Sequence, residues 1–209
     1  TGSSGTGKSM AASAIAKATA INRATSETGV TAEVNVNTVA GSSMTLDTTA
    51  RSGFVRVNGV DIEVSVGISS NAANRNAVIS AINAKSELTG VTARDSGTDA
   101  GGVVLEAEDG RNVSIGFESG TNLTAQNTGL AAGSGVAAGD GDAGTTYEGG
   151  FTLTSKNGGP IVVDGGDGSG NGNLSHAGLI AGTYEGTVAA TVTSQRESTA
   201  AGEVAVLGD

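Results

Sequence analysis

The chain begins with residues whose types and spacing could bind a nucleotide. Residues 2–9, GSSGTGKS, fit the P-loop pattern G-x-x-x-x-G-K-[ST], in which backbone N–H groups cradle phosphates and the lysine reaches the β- and γ-phosphates. A helix is predicted to follow, but no hydrophobic strand precedes Gly2. The nearest match to a metal-binding aspartate after an apolar strand is Asp164, which ends a predicted hairpin. We therefore interpret residues 1–9 as a flexible lead-in. A P-loop enzyme remains an alternative that nucleotide binding would reveal.

Other polar side chains could hold calcium or take part in hydrolysis. Glycine-rich loops carry four aspartates, Asp140, Asp142, Asp164 and Asp167. Such loops can bind calcium, but neither the EF-hand spacing nor a repeated nonapeptide is present, so solvated loops are predicted. His176 is the single histidine, which disfavours a zinc site, and the surrounding LSHAG contains no nucleophile elbow for a Ser-His-Asp triad. We predict no catalytic, cofactor-binding or metal-binding residue.

Three tripeptides match the N-glycosylation sequon, beginning at Asn112, Asn122 and Asn173. In a chain rich in serine and threonine such matches arise by chance. Exposed serine and threonine side chains could also carry O-linked sugars. Glycan display is therefore open, and no residue is assigned to it.

The composition limits the core and the class of partner. The 209 residues include 35 glycines, 2% aromatic residues and no cysteine, so large core side chains are scarce and disulfides are excluded. Two small domains fit this composition better than one thick globule. The formal net charge is −10, and beyond Asn112 the only Lys and Arg residues are Lys156 and Arg196. This argues against nucleic acid and anionic membranes, which bind clustered basic residues.

The ends of the sequence and its hydropathy bear on location. No apolar run approaches the roughly 20 residues that a membrane span needs. No signal peptide is recognisable, and Thr1 in place of methionine suggests an excised fragment. If the parent protein is exported, its targeting information lies outside this piece.

The elements that must position any of these residues are organised by a repeated phrase. Residues 20–33, AINRATSETGVTAE, align without a gap with residues 81–94, AINAKSELTGVTAR, at an offset of 61 and with eight identities in fourteen positions. Each copy is predicted to contain the end of a helix, a glycine stop and the start of a strand. The phrase holds no catalytic residue type, so it indicates a packing unit.

Periodicity and turn residues predict the other elements. Helices are predicted at 9–26, with Ser9 as N-cap, and at 71–85, with these residues facing inward: Ala72, Val78, Ile79 and Ile82. The predicted strands are 30–36, 43–49, 91–94, 186–193 and 204–207. Hairpins are predicted at 54–67, at 101–117 with a turn near Asp109-Gly110, and at 149–163. Residues 119–146 and 164–178 are predicted as linker and loop.

The hairpin at 54–67 has the clearest pattern. Asn58-Gly59 forms a two-residue turn, which places Val57 opposite Val60. One face then carries Val55, Val57, Val60, Ile62, Val64 and Val66, and the other carries Phe54 and Arg56.

A weaker match suggests that the two modules are nested. Residues 149–163 align with 101–117 at an offset of 48 with four identities, and the first module lacks the closing hairpin that the second has. We predict an α+β fold of two small β-rich modules, each an antiparallel sheet with one covering helix. Residues 51–118 form a distal module inserted in a proximal domain of residues 1–50 and 119–209. Nesting would place Thr1 beside Asp209.

The order of these phrases resembles the central, surface-exposed region of bacterial flagellins. Ile21-Asn22 and Ile82-Asn83 match the Ile-Asn pair of the flagellin IN motif, and each stands before a TGVTA segment. The resemblance covers roughly residues 9–36, 54–118 and 145–182. The long terminal helical segments that polymerise flagellins are absent, so filament formation and recognition by the innate flagellin receptor do not carry over to this fragment.

The resemblance implies a structural protein rather than an enzyme. The expected role is the outer domains of an extracellular flagellar filament subunit, which set its surface properties and antigenicity. Expected partners are neighbouring subunits, and antibodies or surface glycans are possible ones; nucleic acid and membrane are not expected. A carbohydrate- or calcium-binding adhesin module is the alternative, which calorimetry with calcium and with glycans would distinguish.

Overall fold

A computed structural model describes residues 13–139, 144–165, 174 and 178–184. The fold is α+β and rich in β-structure, as predicted, with antiparallel and mixed sheets. The helices are α1 (Ala14–Arg23), α2 (Thr25–Thr28), α3 (Asn71–Asn83), α4 (Ser86–Thr89) and α5 (Ala125–Thr128). The strands are β1 (Val30–Val34), β2 (Asn37–Val39), β3 (Arg51–Val57), β4 (Val60–Val66), β5 (Thr92–Asp95), β6 (Val103–Ala107), β7 (Val113–Glu118), β8 (Ser134–Val136), β9 (Thr145–Tyr147), β10 (Phe151–Ser155), β11 (Ile161–Val163) and β12 (Gly182–Tyr184).

The described residues divide into two compact units. The inserted unit contains residues 38–108, 112–139 and 144–147, and the host unit contains residues 13–37, 109–111 and the described residues from 148 onward. The boundaries thus differ from the predicted 50/51 and 118/119. The inserted unit is larger because β2 pairs with β6, and β8 and β9 both pair with β7.

The host unit closes around a strand pair that joins distant parts of the chain. β1 pairs antiparallel with β10, with Val34 opposite Phe151, and β11 pairs with β12. The core beneath them contains Ala14, Ala18, Ala32, Phe151, Leu153, Ile161 and Val163. The residues predicted as a hairpin, 149–163, do turn at Lys156-Asn157 but divide between two sheets.

Helix α1 begins later than predicted. The structure places its N-cap at Ser13, whose Oγ accepts a hydrogen bond from the Ala16 N–H at 3.3 Å. The predicted N-cap, Ser9, lies outside the described residues. So do the strands predicted at 186–193 and 204–207 and the juxtaposition of Thr1 with Asp209.

The inserted unit contains two sheets and the helix α3. One sheet has the order β2-β6-β5, and the other has the order β4-β3-β7-β8, with β9 also paired to β7. Helix α3 packs on β4 and β5. The sheets are not purely antiparallel, because β7 and β8 run parallel. The largest fully buried side chains of this core are Ile62, Ile82, Leu105, Ile115 and Leu130.

The hairpin of β3 and β4 has the predicted register, with Val57 opposite Val60. The face that carries its valines lies in the core of the inserted unit. Phe54 and Arg56 point to the other face but are also buried, at 4% and 3% exposed. The sheet is therefore covered on both sides at this point.

Four local predictions for this unit are wrong. Residues 101–117 do not form a hairpin, because β6 and β7 belong to different sheets. Residues 43–49 are not a strand: the Met44 and Thr45 N–H groups bond to the Asp99 and Gln126 carbonyls in loop and helix segments. The described part of residues 119–146 is not a linker, since it contains α5, β8 and the first residues of β9. Ala72 is exposed, and Arg75 is buried in α3.

Candidate functional site

The repeated phrase carries the same side-chain chemistry in both units. In the host unit, Asn22 Nδ2 donates to the Ala32 carbonyl at 2.8 Å and Asn22 Oδ1 accepts from the Ala32 N–H at 2.7 Å. In the inserted unit, Asn83 makes the same two bonds to Ala93, at 2.9 and 2.7 Å. We call this pair of hydrogen bonds the Asn bracket. It fixes the end of the helix to the strand that follows it.

The helix is broken at the same position in both copies. Ala24 directly follows α1 and has φ of −93° and ψ of 4°, outside the helical range. The matching Lys85 lies two residues after the end of α3 and has φ of −116° and ψ of 9°. A four-residue helical turn follows, α2 or α4, and ends at a glycine with φ of 69°. This left-handed conformation is one that glycine adopts without a steric penalty.

A threonine completes the reversal in each copy. Thr28 Oγ1 donates to the Ala24 carbonyl and accepts from the Val30 N–H, at 3.0 and 3.2 Å. Thr89 Oγ1 makes the corresponding bonds at 3.2 and 3.1 Å. We call this arrangement, with its following glycine, the Thr-Gly turn. In both copies the threonine hydroxyl thus bonds to two backbone groups of the reversal.

A third Thr-Gly turn occurs at Thr128-Gly129. The alignment of residues 20–33 with 81–94 did not reveal it. Thr128 Oγ1 donates to the Thr124 carbonyl at 2.7 Å and accepts from the Leu130 N–H at 3.3 Å, and Gly129 has φ of 76°. The available signal was the tripeptide Thr-Gly-Leu, close to the Thr-Gly-Val of the two copies. It was hidden because no Ile-Asn pair precedes it.

This third turn organises the loops of the inserted unit. The Gly129 carbonyl accepts hydrogen bonds from the Ser42 N–H at 3.1 Å and the Val103 N–H at 2.7 Å. Gly102 has φ of 56°, and a Cβ there would collide with the Gly129 and Ser42 carbonyl oxygens. Glycine at 102 is therefore required by close backbone approach as well as by its conformation.

A buried arginine joins α3 to the loop after β5. Arg75 is 5% exposed, its Nε donates to Asp95 Oδ1 at 2.7 Å, and its Nη1 pairs with Asp99. Asn71 donates to the second Asp99 oxygen at 2.8 Å. The hydrogen bonds from Asn71 and Arg75 lower the pKa of Asp99, and the bond to Asp99 raises the pKa of Arg75. Both shifts favour the charged forms of Arg75 and Asp99, so this ion pair is suited to holding the loop against α3.

A second buried arginine, Arg56, lies on β3, on the face opposite the valines of the hairpin. Arg56 donates to both Asp61 oxygens, at 2.6 and 3.1 Å, and to the Ala137 carbonyl at 3.0 Å. Its guanidinium carbon lies 5.4 Å from the centroid of the Phe54 ring. These contacts connect β3 to β4 and to the residue that follows β8, which again indicates a structural role.

A shallow cleft of about 450 Å³ lies beside α5 in the inserted unit. Its lining includes Phe117, Glu118, Asn122 and Gln126. The sequon residue Asn122 is exposed with φ of 58°, and Thr124 of the same sequon caps α5 by accepting from the Asn127 N–H at 3.4 Å. The other described sequon residue, Asn112, is half-buried.

Most residues considered as candidates for chemistry lie outside the described residues. These are the P-loop match at 2–9, the sequon residue Asn173, His176 and three of the four loop aspartates. The three aspartates are Asp140, Asp142 and Asp167. Asp164 is described and lies exposed after β11. Within residues 13–139, 144–165 and 178–184, no three His, Cys, Asp or Glu side chains are grouped to hold a metal ion. Among those same residues, no helix has the length and hydropathy of a membrane span.

No family model matches the chain, and no curated protein sequence is significantly similar to it.

Proposed function

We propose that this chain is a non-catalytic surface module, the outer domains of a flagellin-type filament subunit exposed outside the cell. The observation that carries the proposal is the Asn bracket, which occurs once in each unit at the two Ile-Asn pairs that resemble the flagellin IN motif. In each copy the amide oxygen and nitrogen both bond to the backbone of the strand that follows the helix. The most regular motif of the chain is thus committed to architecture.

Two further features support a role in covering a filament. The host unit is interrupted between β1 and β10 by the inserted unit, so one domain carries another as an excursion of the chain. The net charge of −10 disfavours nonspecific adhesion between crowded copies. Neighbouring subunits are the proposed partners, and antibodies reaching the exposed loops are a second class.

Immunogold electron microscopy of the source cells tests this proposal. Antibodies raised against the 209-residue chain should label filaments along their whole length. The full gene should encode long helical segments with heptad patterns on both sides of this chain. Label confined to the cell interior, or flanking segments without such helices, would contradict the proposal.

The cleft beside α5 is the observation that favours the alternative, an adhesin module that binds carbohydrate. Its lining contains one aromatic ring, Phe117, together with the carboxylate and amides that sugar hydroxyls require. Titration calorimetry with glycans, and separately with calcium, distinguishes this function. Saturable heat that disappears in a Gln126→Ala variant would favour the adhesin over the filament module.

A further inference from the structure

The host unit contains an exposed Asn-Gly pair in the turn after β10. Asn157 and Gly158 are both exposed, and a Cβ added at Gly158 or Gly159 would meet no atom within 4 Å. Among the described residues, the Asn157 side chain has no hydrogen-bond partner. The turn itself is anchored just before it, where the Lys156 N–H donates to the Gly29 carbonyl at 2.8 Å.

The Gly158 N–H is only weakly engaged. It donates to the Ser155 carbonyl at 3.4 Å, beyond the usual range of an N–H···O bond. A backbone nitrogen that follows asparagine can attack the side-chain amide carbon when it is free to lose its proton. Glycine at this position leaves that approach open because it has no side chain.

The inserted unit contains the same dipeptide in a different setting. Asn58 lies in the turn between β3 and β4, and its Nδ2 donates to the Thr89 carbonyl at 3.0 Å. Its Oδ1 accepts from the Ser114 N–H at 2.8 Å, and its own N–H donates to the Ser114 carbonyl at 3.1 Å. Both atoms of this side-chain amide are therefore held, and the carbon between them cannot turn toward Gly59.

We propose that Asn157 is a site of spontaneous deamidation in the folded protein and that Asn58 is protected from it. The Gly158 nitrogen loses its proton and forms a bond to Cγ of Asn157, the Cγ–Nδ2 bond breaks, and ammonia leaves. Water then opens the resulting succinimide. Cleavage at Cγ gives aspartate, and cleavage at the original main-chain carbonyl carbon gives isoaspartate.

The modification adds one negative charge next to Lys156 and, in the isoaspartate form, one extra carbon to the main chain. Because Asn157 and Gly158 are exposed and the Gly158 N–H is weakly bonded, the chemistry does not require the host unit to unfold. Asn58 reacts only when the β3–β4 turn opens, so its rate is reduced by the small population of that open state.

Peptide mapping by mass spectrometry tests the proposal on the unmodified 209-residue chain. The protein is incubated at mildly alkaline pH in water enriched in ¹⁸O, in buffer and in concentrated urea. The rate at each site in buffer is divided by its rate in urea, which removes the influence of flanking residues. A third pair, Asn171-Gly172, lies outside the described residues and is followed as a separate peptide.

The ratio for Asn157 should be close to one, and that for Asn58 should be lower by at least about tenfold. The Asn157 peptide should carry one ¹⁸O atom and contain isoaspartate, which direct hydrolysis of the amide does not produce. An Asn157→Gln variant should lose this signal and keep its circular dichroism spectrum. Equal ratios at the two sites, or a product at 157 without isoaspartate, would overturn the proposal.

Discussion

Asn22 in the host unit and Asn83 in the inserted unit make the same hydrogen bonds, but the residues around them differ in burial. Ile82 and Thr89 are both fully buried, whereas the matching Ile21 is half-buried and Thr28 is exposed. The bracketed alanines, Ala32 and Ala93, are each 7% exposed. The repeated phrase therefore preserves the local hydrogen bonding, and the packing around it is set by each unit.

The inserted unit adds features that the host unit does not show in its described residues. At the position of Ala14, offset by 61 residues, the inserted unit has Arg75 with its two carboxylate partners. It also contains the third Thr-Gly turn, at Thr128-Gly129. The same module thus serves as a minimal closing element in one unit and as part of a layered core in the other.

The largest expected effect comes from the glycine that the third turn requires. Gly102→Ala should destabilise the inserted unit by about 3 kcal/mol or more, because the new Cβ combines left-handed strain with a collision against two carbonyls. Gly29→Ala is the control, since its φ is similar at 69° but its nearest neighbour is the Asn157 amide at 3.7 Å. It should cost about 1 kcal/mol. Urea unfolding followed by circular dichroism measures the loss of stability in both variants. Equal losses would show that the close backbone approach at Gly102 adds nothing to the left-handed strain that both glycines share.

The next largest effect is expected at Arg75, the position of the inserted unit that matches Ala14 of the host unit. Arg75→Ala installs the residue that the host unit has at position 14, and it should lower the free energy of unfolding by about 2–3 kcal/mol, since the loop carboxylates lose a buried partner. Arg94→Ala is the matched control, because its side chain is 54% exposed in its pair with Glu106. That change should cost less than about 1 kcal/mol. Similar costs for the two arginines would mean that the buried cluster does not hold the loop.

A third pair of variants tests what the copies share. Asn22→Ala and Asn83→Ala each remove two hydrogen bonds from one alanine backbone, and each should cost about 1–2 kcal/mol. Hydrogen exchange at the Ala32 and Ala93 amides should accelerate only in the unit that carries the change. A large cost in one unit and none in the other would show that the bracket depends on its surroundings.

The local elements were predictable from sequence where short-range chemistry determines them. The Asn58-Gly59 turn set the β3–β4 register, and Gly29 and Gly90 ended their helical segments as expected. The repeat located the Asn bracket without revealing its hydrogen bonds. Those bonds became visible only with coordinates, since an exposed asparagine after isoleucine has no distinguishing pattern of its own.

The pairing of strands was harder to predict because it depends on distant residues. β6 and β7 resemble a hairpin in sequence, yet β6 joins β5 and β2 while β7 joins β3. The segment 119–146 seemed a linker because glycine and alanine predominate, but small residues are what its close backbone contacts require. At Gly133, for example, a Cβ would lie 2.8 Å from the Ile115 carbonyl oxygen. Composition alone does not distinguish tight packing from flexibility.

The smallest expected effect concerns the pH dependence of the Arg75 cluster. Asn71 and Arg75 lower the pKa of Asp99 in the folded chain, so ionised Asp99 stabilises the fold above its ordinary pKa of 3.8. That contribution should be lost as pH falls below 3.8 through the folded value. Asp99→Asn should therefore destabilise the inserted unit near neutral pH, and its difference from the unmodified chain should close in acid.

Asp109→Asn provides the comparison in the host unit. Its hydrogen bonds with Arg111 also lower the pKa of Asp109, but the two partners are only two residues apart in one loop. Asp99 instead connects its loop to a separate helix, so its variant should show the steeper pH dependence. Urea unfolding across a series of acidic and neutral buffers measures both curves. A charged link between two elements must lose stability when its charge is removed. If Asp99→Asn and Asp109→Asn differed equally little from the unmodified chain in free energy of unfolding at every pH, the Arg75 cluster would therefore contribute no more than a surface pair.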